Sequence, residues 1–263
     1  MESTVYQVTS EGVSLGKVLC EGCSIGGRSD ETRISVFSTE NRNIDGIFNV
    51  KYMGGVIDGH SSPGVNAGKL AEEVTVLFCN MMESVHTRGG IERAIEIAVD
   101  MVQDRISPEA INYGVCGIIF MMTSEKLYLV RVGDGNAMIE GGLLFSTPKR
   151  GHFVNGNLER LTVGNSWGDR HFKEDCQHPC FADVVSYPLK SLRGKRLLIT
   201  DDGLFEMTKY VGKSLLQKIM QFGIEKAVSS IVSAMRKYDA EPKNVEDGRR
   251  ADDIGLLMLH FPR

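Results

Sequence analysis

Three acidic clusters, far apart in the chain, each sit at one end of an apolar run: Asp58 in VIDGH, Asp202 in LLITDDGLF and Asp252 in RRADDIGLLMLHF. A strand end on a packed sheet is a rigid place to hold a carboxylate. Carboxylates gathered there form a site for a hard, oxygen-preferring cation such as Mg²⁺ or Mn²⁺. Asp-Gly is also a common turn dipeptide, so no one cluster makes the case and the set must. A second chemistry is open to sulfur and imidazole. Cys20 and Cys23 form a C-x-x-C pair, and Cys176, Cys180, His171 and His178 could complete a zinc site. A zinc ribbon shows two tighter, more regular halves, so free thiols are the expectation. Cys79 and Cys116 lie in apolar runs and are expected in the core.

Composition bounds what these residues can serve. The chain has 263 residues, 42% hydrophobic and 24% charged, as in a globular protein, and is read as a single domain over 1–263. A net charge of -4 gives no basic footprint for nucleic acid. The longest apolar runs, such as VCGIIFMM, fall far short of the roughly 20 residues that span a bilayer. The beginning, MESTVYQVTSEG, carries neither the apolar centre of a signal peptide nor the glycine that myristoylation needs. A monomer of the cytoplasm or nucleus, without membrane or nucleic-acid partners, is expected.

Periodicity supplies the elements that must position the carboxylates. Ala67, Leu70, Val74, Leu77, Phe78 and Met81 recur at helical spacing, as do Ile91, Ala94, Ile95, Ala98, Met101 and Val102, with Gly89-Gly90 between them. A later pair is formed by Leu215, Leu216, Ile219 and Met220, then by Ile224, Ala227, Val228, Ile231, Val232 and Met235, with Gly223 as the break. Strand-like runs surround both pairs: TRISVFS, FNVKYMGGVID, VCGIIFMM, KLYLVRV, ADVVSYPL, KRLLIT and IGLLMLHF. Strands in runs with helices in pairs predict an α+β fold. Near-continuous apolar residues in GIIFMM and GLLMLHF predict strands buried on both faces, as in two sheets covered by helices.

The segments that carry these residues resemble the type 2C metal-dependent serine/threonine protein phosphatases. GGVIDGHSSPGVNAGKLAE is similar to the family's Asp-Gly-His-Gly-Gly motif and following helix, and VRVGDGNAMIEGG to its Gly-Asp-Ser-Arg strand and turn. LERLTVGNSWGDRHFK is similar to Leu-Ala-Val-Ser-Arg-Ala-Phe-Gly-Asp, LLITDDGLFEM to Ser-Asp-Gly-Leu-Trp-Asp, and ADDIGLLMLHF to the terminal Asp-Asn-Ile-Thr strand. The matches keep the family's order across nearly the whole chain. The resemblance implies a four-layer α-β-β-α sandwich, two antiparallel sheets flanked by helix pairs.

It also implies a chemistry: hydrolysis of phosphoserine and phosphothreonine in proteins by a water bridging two Mg²⁺ or Mn²⁺ ions. Asp58 would bridge the metals and the carbonyl of Gly59 would bind one. Asp202 and Asp252 would complete the other, partly through waters, and Glu31 would sit in the second metal's shell. His60 would protonate the leaving oxygen. Arg28 would grip phosphate through its planar fork, with Arg33 as the alternative because the Arg28–Glu31 interval is one residue short. Asp134 and Glu206 would help hold a weak third metal. Asp169 is expected to close a turn.

Departures from the pattern are numerous. The Asp expected after Glu31 is Thr32, the Gly-Gly after His60 is Ser61-Ser62, and the Ser-Arg after Asp134 is Gly135-Asn136. The Ser-Arg before Trp167 is Gly164-Asn165, and the Asn after Asp252 is Asp253. Thr32 removes a carboxylate beside the metals, a loss that typically weakens affinity or activity about 10–100-fold. Asp201 and Asp253 add negative charge in partial compensation. The segment from Met138 to Asp169 is short for the flap that borders the active site. The reading is therefore an active phosphatase with a phosphoprotein substrate, the alternative being a weak or inactive pseudophosphatase that acts as a regulatory binding module.

Overall fold

A computed structural model describes residues 5–6, 12–27, 31–40, 42–61, 67–106, 113–133, 135–140, 142–145, 150–154, 157–162, 182–204, 207–208, 214–248 and 250–263. Two six-stranded antiparallel sheets dominate it. The first runs in the order β1 (Val5–Tyr6), β4 (Arg33–Ser38), β5 (Val50–Ser61), β6 (Tyr113–Thr123), β7 (Lys126–Val132), β12 (Asp183–Pro188). The second runs β2 (Val13–Leu15), β3 (Val18–Ile25), β14 (Ile254–His260), β13 (Arg196–Thr200), β8 (Asn136–Ile139), β9 (Gly142–Phe145). Strands β10 (Arg150–Val154) and β11 (Asn157–Thr162) form a separate two-stranded ribbon within the segment expected to carry the flap.

Both predicted helix pairs are present. α2 (Gly68–Ser84) and α3 (Gly90–Ile106) follow a short α1 (Asn43–Phe48). After the one-turn α4 (Leu189–Leu192) come α5 (Ser214–Phe222) and α6 (Ile224–Asp239), then α7 (Pro242–Glu246). Gly223 breaks the second pair at φ +89°, a backbone state that costs any other L-residue steric strain.

Three apolar layers explain why these sequences fold here. Val74, Phe78 and Met82 of α2 and Ile95 and Val102 of α3 bury their stripe against the outer face of the first sheet, on Ile119 and Met121. The inner faces of the two sheets meet through Ile118, Phe120, Leu129, Leu257 and Leu259. Leu215 and Ile219 of α5 and Ala227 and Ile231 of α6 cover Leu198, Leu256 and Met258 on the outside of the second. Successive strand residues point to opposite faces, so β6 and β14 supply alternate side chains to two cores and must be apolar throughout. Fully burying one such side chain is worth roughly 1.5–3 kcal/mol. The result is the α-β-β-α sandwich.

One expectation needs correction, and one hairpin adds to the predicted elements. The run FNVKYMGGVID does not begin as a strand: α1 ends at Phe48, and Asn49 turns the chain at φ +56°, its N–H bonded to the Asp45 carbonyl, before β5 starts. Asn tolerates that left-handed state better than most residues. The β2–β3 hairpin was not predicted, because its short apolar runs are cut by Lys17, Glu21 and glycines.

Candidate active site

The acidic clusters converge on one end of the space between the sheets, and strand register explains why. β13 and β14 are antiparallel with Thr200 opposite Leu256, so Asp201 and Asp202, just after β13, lie beside Asp252 and Asp253, just before β14. On the first sheet Arg33 pairs with Ile57, which puts Thr32 across from Asp58. β3 ends at Ile25 opposite Ile254, and the chain then crosses from the second sheet to the first to begin β4.

Asp253 ties this crossover at both ends: Gly27 N–H donates to Oδ1 at 2.6 Å and Glu31 N–H to Oδ2 at 2.6 Å. Glu31 in turn accepts at Oε1 from Ala67 N–H, at the start of α2, at 2.6 Å. Glycine lets the layers close here. A Cβ on Gly255 would lie 2.5 Å from both Thr32 Cγ2 and Val56 Cγ1, and one on Gly59 would lie 2.8 Å from Ala67 Cβ and 2.9 Å from Glu31 Cβ.

Thr32 sits between two carboxylates. Its hydroxyl is 2.6 Å from Asp58 Oδ1 and 3.2 Å from Asp201 Oδ2. One hydroxyl has one proton to give, and the shorter contact takes it. Asp201 is buried, with Gly255 N–H donating to Oδ2 at 2.5 Å, and Asn136 Nδ2 donates to the Asp201 carbonyl at 3.3 Å from the adjacent strand β8. Burial raises the Asp58 carboxyl well above the usual carboxylate range; the Asp201 charge adds to this, the Thr32 hydroxyl opposes it, and Asp202 and Asp252 add smaller amounts. Burial likewise raises Asp201, opposed by the Gly255 N–H and increased by Asp202. Among the described residues, no positive charge offsets the pair.

A proton or a cation would supply it, and all-oxygen donors suit a hard divalent ion. The donor chemistry thus fits the metals that the resemblance implies. Among the described residues, no three His, Cys, Asp or Glu side chains are grouped so as to hold an ion.

Asp58, Asp202, Asp252 and Glu31 share one edge, with Asp202 exposed and Asp252 partly buried. Gly59 lies in β5 opposite Val115, and His60 opposite Gly114, the His60 side chain being outside the described residues. Arg28, Asp134, Asp169 and Glu206 are outside the described residues. Arg33 emerges on the helix-facing side of β4, since Ile34 and Val36 face the second sheet, and donates Nη1 to the Thr32 carbonyl at 2.9 Å. Sequence reasoning missed three positioning roles: Asp253 as a clamp on the crossover, Thr32 as a link between Asp58 and Asp201, and Asn136. A side chain that serves backbone groups of a distant segment leaves no local signal.

The zinc reading loses its first half. Cys20 and Cys23, three apart on β3, face opposite ways, Cys20 into the inter-sheet core and Cys23 toward the α5–α6 side. Burial pushes the Cys20 thiol up to about 12 and the Cys79 thiol to about 12, as for core thiols. Cys176, Cys180, His171 and His178 are outside the described residues.

No protein-family model matches the chain, and none of the curated proteins matches it. Solved structures do. The serine-threonine phosphatase 2C of Toxoplasma gondii matches with a TM-score of 0.66 at 11% identity, covering 99% of each chain. The fold is that of the type 2C phosphatases. Within that fold, the serine/threonine phosphatase of S. agalactiae matches at a TM-score of 0.60 and 11% identity, covering 93% of this chain and 99% of that one. The Mycobacterium tuberculosis serine/threonine phosphatase PstP/Ppp matches at 0.57 and 12%, covering 94% and 99%. The type 2C likeness therefore extends over the whole sandwich while few residues are shared.

Proposed function

We propose that the chain is a phosphatase acting on phosphoserine and phosphothreonine in proteins with the help of Mg²⁺ or Mn²⁺. The observation that carries this reading is the Asp58–Thr32–Asp201 arrangement, Thr32 and Asp201 buried and Asp58 partly so, with Asp202 and Asp252 beside it, at one end of a type 2C sandwich. Asp58, the Gly59 carbonyl, Asp202 and Asp252 would hold the ions, with Glu31 near them and Asp134 and Glu206 toward a third. Bound divalent ions supply charge neutralisation on phosphate and a water acidic enough to attack near neutral pH. The chain's own work is to keep the carboxylates in place: Gly255 N–H aims Asp201, Thr32 aims Asp58, and Asp253 fixes the crossover that carries Glu31. His60 would give a proton to the departing Ser or Thr oxygen, and Arg28 would hold the phosphate.

A specific observation favours the second reading, a weak or inactive regulator. Thr32 occupies the family's Asp position and spends its proton on Asp58. Mn²⁺-dependent release of phosphate from a phosphothreonine peptide, abolished by Asp58→Asn, supports the enzyme. No release at any Mn²⁺ concentration supports the regulator.

A further inference from the structure

At the end of the sandwich opposite the carboxylates lies a second cleft, of about 730 Å³. It is bounded by the β2–β3 turn, the β6–β7 turn, α4 and the segment after β14. Backbone bonds pin these pieces together: Leu189 N–H to the Glu125 carbonyl at 2.7 Å, Gly194 N–H to the Phe261 carbonyl at 3.0 Å, and Phe261 N–H to the Lys195 carbonyl at 3.0 Å. The cleft is thus preformed, within the usual size of ligand pockets. Among the described residues, five cationic side chains line it, Lys17, Lys126, Lys190, Arg193 and Arg263, against one carboxylate side chain, Glu125. In a chain with 34 acidic and 30 basic residues, this is a local reversal of sign. None of the five takes part in an ion pair among the described residues. Accessible apolar surface between them comes from Pro188, Leu189 and Pro262, over the buried Val18 and Phe261.

We propose that this cleft docks an extended, acidic segment of a partner protein. Carboxylates along the segment meet the cations, Arg193 offering a bidentate fork. An apolar side chain of the segment enters between them and covers Pro188, Leu189 and Pro262. The concavity favours a peptide over a membrane, since a flat lipid surface meets the rim and not the floor. It favours a peptide over nucleic acid because the one aromatic ring in the lining among the described residues, Phe261, is buried and offers no face for a base to stack on.

Fluorescence anisotropy with a fluorescein-labelled peptide of alternating Glu and Leu tests this. The wild type should bind it, more weakly as salt rises, and should ignore the same peptide with Lys in place of Glu. Lys190→Glu with Arg193→Glu, both exposed positions, should weaken binding at least about tenfold, with unchanged circular dichroism. If that pair fails to fold, Lys17→Glu with Lys126→Gln serves instead. Asp58→Asn should bind as the wild type does, because docking is independent of the chemistry at the other end. Absence of peptide binding, equal binding by the charge-reversed protein, or binding only of phosphatidylserine vesicles or a single-stranded oligonucleotide would overturn the proposal.

Discussion

At the level of single residues, the account rests on two carboxyls that share one hydroxyl. Asp58 and Asp201 both have raised proton affinity in the fold, so the folded state binds more protons than the unfolded one between the ordinary carboxylate pKa and the raised values. Stability of the metal-free protein must then fall as pH rises through that window, and the penalty is fully present above it. With EDTA present, the Tm difference between Asp201→Asn and wild type should be near zero in acid and positive at neutral pH. A gain on the order of 1 kcal/mol corresponds to about 2–4 °C at this size. The amide still accepts from Gly255 N–H. A difference that does not change with pH would show that the charge of Asp201 is not the cause. Thr32→Asp separates two effects. A third carboxylate should lower the metal-free Tm, yet tighten Mn²⁺ binding by about 10–100-fold, which thermal shift against Mn²⁺ concentration reads directly. Which member of Asp201-Asp202 points inward was not legible in the sequence, because the end of β13 decides it. The sequence put the site at Asp202, and the structure adds Asp201 as the buried partner of Asp58.

At the level of elements, the helix pairs were legible because burial on one sheet face imposes a 3.6-residue period, and Gly89-Gly90 and Gly223 punctuate it. The β2–β3 hairpin was not, since three residues of β2 carry too little pattern. Yet β3 fixes the second helix pair. Its Glu21 accepts from Ile224 N–H, at the start of α6, at 3.0 Å, and pairs with His260 Nε2 at 2.8 Å. Burial alone would raise the Glu21 carboxyl; the adjacent His260 imidazole, the Ile224 N–H and the Arg196 charge outweigh it and hold it below its ordinary value. Its contribution is therefore present above the unfolded carboxylate pKa and lost as pH falls through the folded value. Glu21→Gln keeps an acceptor for Ile224 N–H and removes only the charge, so it should cost about 1 kcal/mol at neutral pH, the scale of a negative charge at a helix N-terminus. Urea unfolding at neutral and acid pH checks this: the cost should shrink in acid, and a cost that stays constant would mean that charge plays no part.

At the level of the whole molecule, the sandwich brings together residues from opposite ends of the chain. Gly255 allows the sheets to meet, Asp253 fastens the crossover, and both act on the edge where Asp58 and Asp201 lie. The architecture was legible because doubly buried strands such as β6 and β14 leave only a layered solution. The side chains that align the two sheets were not, because each acts across more than 200 residues of sequence or on the far sheet. The same closure leaves the basic cleft at the opposite end. The central claim is that the carboxylate edge is built to take divalent cations. Isothermal titration of the full chain with Mn²⁺, in parallel with Asp58→Asn, tests it most directly. The account predicts saturable binding by the wild type, with proton release that grows as pH falls toward the raised pKa values, and its loss in the variant. No heat of binding in the wild type, or the same binding in both proteins, would contradict it.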